Sequence, residues 1–157
     1  MKEKKVHIKG FSRIVIAQDG KIVGDSGWVG PNTITNQGFL NFLVKTLGGS
    51  SGSSQVGYMA LGTGGAPSSG DTTLAGEIMG STKRKAVTFT NVGSTTAQFT
   101  ATWASSESFV TTTYNISNVG LFATTNTNAT LFAGNTYASS QLNTNQDVYA
   151  TYQIRFS

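Results

Sequence analysis

The chain has 157 residues, 11 Lys and Arg against 7 Asp and Glu, and no cysteine. That length suits one domain around one core, and the missing thiols exclude disulfides, thiolate metal sites and cysteine nucleophiles. Charged residues make up only 11%, well under the usual quarter, while nine Phe, five Tyr and two Trp against two Pro separate the chain from disordered sequences.

In chain order, Val6, Ile8, Ile14 and Ile16 share one parity, so residues 6–17 read as a strand. Gln18-Asp19-Gly20-Lys21 supplies a hairpin turn, because Asp-Gly takes positive φ readily. Ile22-Val23 restarts the chain as the partner strand, which continues to Trp28-Val29 until Gly30-Pro31-Asn32 breaks it. Thr35 or Asn36 caps a helix over residues 36–47. Phe39, Leu40, Phe42, Leu43, Val44 and Leu47 recur at helical spacing, and Gly48-Gly49 ends it. The apolar side of that helix is expected to lie on a sheet.

Gly48 to Ser54 reads as a flexible Gly/Ser loop, and Tyr58-Met59-Ala60-Leu61 as a short strand. The Gly-rich segment Gly62 to Gly70 lacks the spacing and the lysine of a phosphate-binding loop and reads as a surface loop. Asp71 is expected to cap a helical turn over Thr72 to Ile78. Beyond it, Ala86 to Asn91 and Ala97 to Trp103 pair across Gly93-Ser94. Val119 to Phe122, Leu131 to Tyr137 and Asp147 to Phe156 add further strands. In the last, Val148, Ala150, Tyr152, Ile154 and Phe156 share one face and Tyr149, Thr151, Gln153 and Arg155 the other, the pattern of a half-buried antiparallel strand. The whole predicts a mainly β, single domain over residues 1–157: an antiparallel two-sheet β-sandwich, jelly-roll-like, with one short α-helix.

Chemistry is sparse. His7 is the single histidine and has no second ligand type beside it, so no zinc site or Ser-His-Asp triad is expected. Asp71, Glu77, Glu107 and Asp147 are the acids that a carboxylate-pair mechanism would need to bring into one cleft; Asp71 and Glu77 have a simpler reading as helix-start residues. The Asn-rich segments Asn115 to Asn118 and Thr124 to Asn128 carry no carboxylate for calcium. No enzyme activity, cofactor or metal is expected. Residues 1–9 lack the apolar run of a secretory signal, and no stretch reaches the length of a membrane-spanning helix. Trp28, Trp103, Tyr114 and Tyr137 are the aromatics open to a glycan, with one indole expected in the core.

Basic residues cluster twice. Lys2, Lys4, Lys5 and Lys9 lie in an N-terminal arm at about residues 1–9, followed by Arg13 and Lys21; Lys83, Arg84 and Lys85 form a triplet. The aromatics lie mostly elsewhere, which argues against nucleic acid. The seven named residues, the four lysines of the arm and the triplet, are the candidate partner-binding set.

Four segments then fall in a telling order: Asn32-Thr33-Ile34-Thr35-Asn36-Gln37-Gly38-Phe39, Tyr58-Met59-Ala60-Leu61-Gly62-Thr63-Gly64, Asp71-Thr72-Thr73-Leu74-Ala75-Gly76-Glu77-Ile78 and Asn118-Val119-Gly120-Leu121-Phe122. From Asn32 to Ser157 this order resembles small structural proteins of tailed phages and related virions, among them head-decoration, capsid and tail-associated β-sandwich proteins. Asn118 departs from that pattern, which usually has a glutamate there. The resemblance implies a non-enzymatic part of a particle, located in a virion assembled in the host cytoplasm. It would act as capsid decoration, cement or a capsomer component, packing against copies of itself and other virion proteins, with a homo-oligomer, a trimer foremost, as the form expected. The alternative is a tail or fibre protein that binds a host glycan, or a soluble lectin-like module.

Overall fold

The computed structural model describes residues 5–49, 54–79, 83–126 and 128–157. Its described residues form ten strands: β1 (Ile8–Gln18), β2 (Lys21–Asp25), β3 (Val29–Ile34), β4 (Tyr58–Gly62), β5 (Lys85–Ala86), β6 (Thr88–Asn91), β7 (Thr96–Trp103), β8 (Tyr114–Phe122), β9 (Ala133–Leu142) and β10 (Asp147–Phe156). Every pairing is antiparallel. The order is β5-β4-β8-β9-β3-β1-β10-β7-β6, with β2 added as a hairpin on β1.

The mainly β, antiparallel architecture expected from the sequence is present, but as one continuous sheet nearly closed into a barrel. Two corners make the closure. At one, β3 pairs with β1 through Gly10↔Asn32 and with β9 through Thr33↔Gly134. At the other, β5 pairs with β4 and β6 with β7, and only Val87 separates them. The Val87 N–H donates to Gly57 O, which fixes that corner. Strands that switch sides in this way make the corners of barrel-like sheets.

Local sequence explains most elements. Asp19 and Gly20 both have positive φ, at 50° and 74°, the conformation that a two-residue hairpin turn requires. Strand β3 runs through Gly30-Pro31, where the sequence predicts a break. Each of its neighbours pairs with it over only two positions, so a proline without an N–H is tolerated. Asp71 caps no helix. Residues 71–78 are turns, Asp71 Oδ2 accepts the Ser68 N–H at 2.8 Å, and Glu77 bridges to Gly62.

Helix α1 occupies residues 36–47, opening as α-helix over Asn36–Gly38, widening to a π-helix over Phe39–Val44 and returning to α over Lys45–Leu47. Thr35 Oγ1 accepts the Gly38 N–H at 2.9 Å, the N-cap that the sequence predicts. The same hydroxyl reaches the carbonyls of Leu131 and Phe132, tying the helix start to the chain before β9.

The core fills the barrel. Trp103, Tyr152, Met59, Leu61, Ile116, Leu121 and Val148 are almost fully buried. The outer side of β4 and β8 has a smaller core of its own, in which Ala60 and Phe122 pack with Leu74 and Leu131. β4 and the end of β8 are therefore covered on both faces, which is why Tyr58 to Leu61 and Val119 to Phe122 read as runs without polar side chains at every second place. Asn118, the residue that departs from the virion pattern, is fully buried within β8 and donates to Gly65 O at 3.2 Å and Ala75 O at 2.9 Å, holding the Gly-rich loop against the strand.

Candidate functional site

The basic triplet is tied into the chain, Arg84 buried and Lys83 and Lys85 half-buried. The Arg84 side chain is 5% exposed. Its Nε and Nη2 donate to Glu77 Oε1 and Oε2 at 2.7 and 3.0 Å, its Nη1 donates to the carbonyls of Thr124 and Asn126, and its guanidinium lies 3.6 Å from the centre of the Phe122 ring. Arg84 is thus a structural cation that joins three segments, which removes it from the partner-binding set. Lys83 donates to the carbonyls of Ser108 and Phe109 and sits over the Phe109 ring. Lys85 pairs with Glu107, whose carboxyl is held below its ordinary range by Lys85 and by the Ala104 N–H. All three charges have partners within the chain.

Of the arm, Lys2 and Lys4 lie outside the described residues. Lys5 and Lys9 are exposed. Lys9 stands directly opposite Arg155 in the β1–β10 register, a residue that motif reading did not single out, although it shares a face of β10 with Gln153. Arg155 is held rigidly. Its Nε and Nη2 both donate to Gln153 Oε1, at 2.9 and 2.7 Å. Its guanidinium lies 4.1 Å from the centre of the Phe11 ring and 5.6 Å from that of Trp28. Gln153 is itself buried and donates to Gln98 Oε1 at 2.7 Å. Around this stack the outer face of β1, β10 and β7 carries Thr96, Thr100, Thr102, Thr151 and Tyr149. Trp28 is 45% exposed whereas Trp103 is fully buried, so Trp103 is the core indole and Trp28 the one open to a ligand. Tyr137 is also buried, and burial raises its phenol pKa well above the ordinary value.

A second surface lies at α1. The expectation that the apolar side of this helix lies on a sheet holds for Phe42, which is buried and packs 4.7 Å from Phe132, and in part for Leu43, which is half-buried. Phe39, Leu40, Val44 and Leu47 are exposed, Leu47 at 89%. The helix stands off the inner sides of β6, β7 and β10 and leaves a groove of about 410 Å³ lined by Leu43, Val56, Phe89, Phe99, Ile154 and Phe156, among others, with no charged residue.

The candidate acids serve local structure. Asp71 caps the Ser68 turn, Glu77 pairs with Arg84, Glu107 accepts from Lys85 and Ala104, and Asp147 Oδ1 accepts the Ser105 N–H at 2.7 Å. Among the described residues no three His, Cys, Asp or Glu side chains come together as a metal site would require, and no helix is long and apolar enough to cross a membrane. No family model matches the chain, no curated protein is significantly similar to it, and no solved structure matches it.

Proposed function

We propose that this chain is a non-enzymatic structural subunit that works by packing against copies of itself, as a decoration, cement or capsomer component of a virion. The observation that carries self-packing is the open apolar face of α1 and its groove. Phe39, Leu40, Val44, Leu47, Phe89 and Phe156 are all exposed. Taking about 150 Å² for a fully exposed large apolar side chain, they leave on the order of 500 Å² open. A standard interface covers about 800 Å² per partner, rather more than half of it apolar, so these six residues together expose about as much apolar area as one such interface uses. Patches of this size on soluble chains mark interaction sites. The virion placement rests on the sequence resemblance. In this reading the barrel is a flattened jelly-roll-like sandwich whose two halves meet at β3 and at residues 85–91.

The test is the solution mass of the full chain by light scattering, with and without Leu47→Glu. That residue is almost fully exposed, so the variant folds. The wild type is expected as a closed oligomer, with a trimer foremost, that persists in high salt, and L47E as a monomer. A wild-type monomer at tens of micromolar, or an oligomer indifferent to L47E, overturns the apolar interface. An oligomer that dissociates with salt instead returns the contact to the basic arm.

A second reading, a glycan-binding tail or fibre component, is favoured by one observation: Trp28 is exposed beside a guanidinium and a pair of amides.

A further inference from the structure

We infer that Arg155, Lys9 and Trp28 form a binding site for an acidic sugar, a uronic or sialic acid, on the outer face of β1 and β10. This gives the second reading its site and ligand class, and it stands apart from the apolar face that carries the assembly reading.

Three features lead to it. The first is a pair of cations that no acid among the described residues neutralises. Lys9 and Arg155 are directly opposed on one face of an antiparallel pair, an arrangement that is unfavourable between like charges. The ion pairs among the described residues are Arg13–Asp25, Arg84–Glu77 and Lys85–Glu107, and none of them takes in Lys9 or Arg155. An anion placed between the two relieves the repulsion.

The second is the preorganisation of the guanidinium. Gln153 Oε1 occupies the edge formed by Nε and Nη2, and the Phe11 and Trp28 rings fix the plane. The edge formed by Nη1 and Nη2 remains for a second acceptor. A carboxylate fits that edge with two parallel hydrogen bonds, and the rotamer entropy of ordering Arg155 is already met in the free protein.

The third is what surrounds the cations. A site for a bare anion needs only charge. Here an exposed indole lies beside the guanidinium, Gln98 and Gln153 run away from it along the sheet, and Thr96 stands opposite Arg155 on β7. A sugar ring has one face of C–H groups to lay on an indole and a rim of hydroxyls for amides and hydroxyls to meet. An acidic sugar uses both halves of the site at once.

The experiment uses the full chain and saturation-transfer NMR on methyl β-glucuronide and the methyl glycoside of N-acetylneuraminic acid. Methyl β-glucoside is the neutral control, and acetate and sulfate are the anion controls. Binding of one acidic sugar is expected at millimolar concentration, at least about tenfold tighter than the glucoside and than acetate, in keeping with one charge-assisted contact. Arg155→Gln and Trp28→Ala are each expected to weaken it about tenfold or more, and Lys9→Gln by less, with binding falling as salt rises. Arg155→Lys keeps the charge and loses the fork, so it too is expected to weaken binding. Thermal melts of each variant separate loss of binding from loss of fold. Equal affinity for glucuronide, acetate and sulfate overturns the inference in favour of anion capture alone. It is also overturned by failure of both acidic sugars to bind, or by binding that survives both R155Q and W28A. None of these outcomes bears on the mass of the L47E variant, so the assembly reading is judged separately.

Discussion

The two halves of the barrel treat their outer faces in opposite ways. Over β4 and β8 the segment 62–79 lies across the strands, buries Leu74 and Leu131 against Phe122, and brings Glu77 to Arg84. Over β1, β10 and β7 no segment among the described residues lies across the sheet as 62–79 does, and the outer side chains are mainly Thr, Gln, the cations Lys9, Arg13 and Arg155 and the rings of Phe11, Trp28 and Tyr149. Each half has a basic cluster. In the covered half every cation of the triplet meets a carboxylate, a carbonyl or a ring of its own chain. In the bare half Lys9 and Arg155 face each other, and neither is in an ion pair among the described residues. A count of charges cannot separate the two cases. Charge enclosed by the fold stabilises it, and charge left open on a rigid face is available to something else.

The sharpest way to break this contrast is to remove the enclosed charge. Arg84→Ala leaves Glu77 buried without its partner and strips the Phe122 ring of its guanidinium. Breaking a buried pair from one side costs about 3–5 kcal/mol, which for a chain of this size corresponds to a fall in Tm on the order of 10 °C. Thermal unfolding of R84A measures it. A loss no larger than that of a surface substitution would show that the covering segment does not depend on Arg84.

Gln153→Ala probes the bare half at a buried polar group that faces Arg155. Gln153 accepts twice from Arg155 and donates to Gln98, so its removal is expected to cost about 1–2 kcal/mol and to free the Arg155 side chain. Urea unfolding reads the first effect. The second shows as loss of acidic-sugar binding with Arg155 still present. Lys85→Ala comes next in size. The pair with Glu107 is partly exposed, Glu107 at 45%, so at most about 1 kcal/mol is expected, shrinking with salt. A salt-independent loss would mean that Lys85 acts through packing of its stem.

Much of the fold was legible because the pattern is local. Alternation marks β10 from Asp147 to Phe156, Asp19-Gly20 marks the first hairpin, and Thr35 with Gly48 brackets the helix. Closure was not legible. Whether β3 and residues 85–91 end one sheet or join two depends on pairings with strands far away in the chain, and Gly30-Pro31 looks like a break to any local rule. The site divides in the same way. Lys9 and a neutral strand face could be read directly, whereas which of Trp28 and Trp103 is exposed could not. Arg84 looked like the centre of a surface patch, because nothing local shows that Phe122 and the Asn126 carbonyl will enclose it. Arg155 was passed over because its partners Lys9, Phe11 and Trp28 come from the opposite end of the chain and meet it only through the β1–β10 register. The signal within reach was its place on one face with Gln153.

The smallest effect is also the one with the clearest pH signature. On the bare half Asp25 accepts from Arg13 Nε and Nη2 at 2.9 and 2.5 Å and from the Gly27 N–H. The Arg13 hydrogen bonds, and then that of Gly27, lower the Asp25 pKa from its ordinary 3.8 to about 2. The folded state therefore holds the ionised carboxylate more tightly than the unfolded chain does. The stabilisation is fully present above the unfolded value and is lost as pH falls through the folded one. Asp25→Asn is expected to melt slightly below the wild type at neutral pH, by an amount that stays constant down to about pH 4. The gap should close between there and about pH 2, the window set by the shift of Asp25. The contribution is small because both partners are in contact with water. Melting curves of the two proteins across that range decide it. A gap that persists well below the folded value would show that Asp25 acts through the geometry of its turn, with the Gly27 N–H, and not through its charge on Arg13.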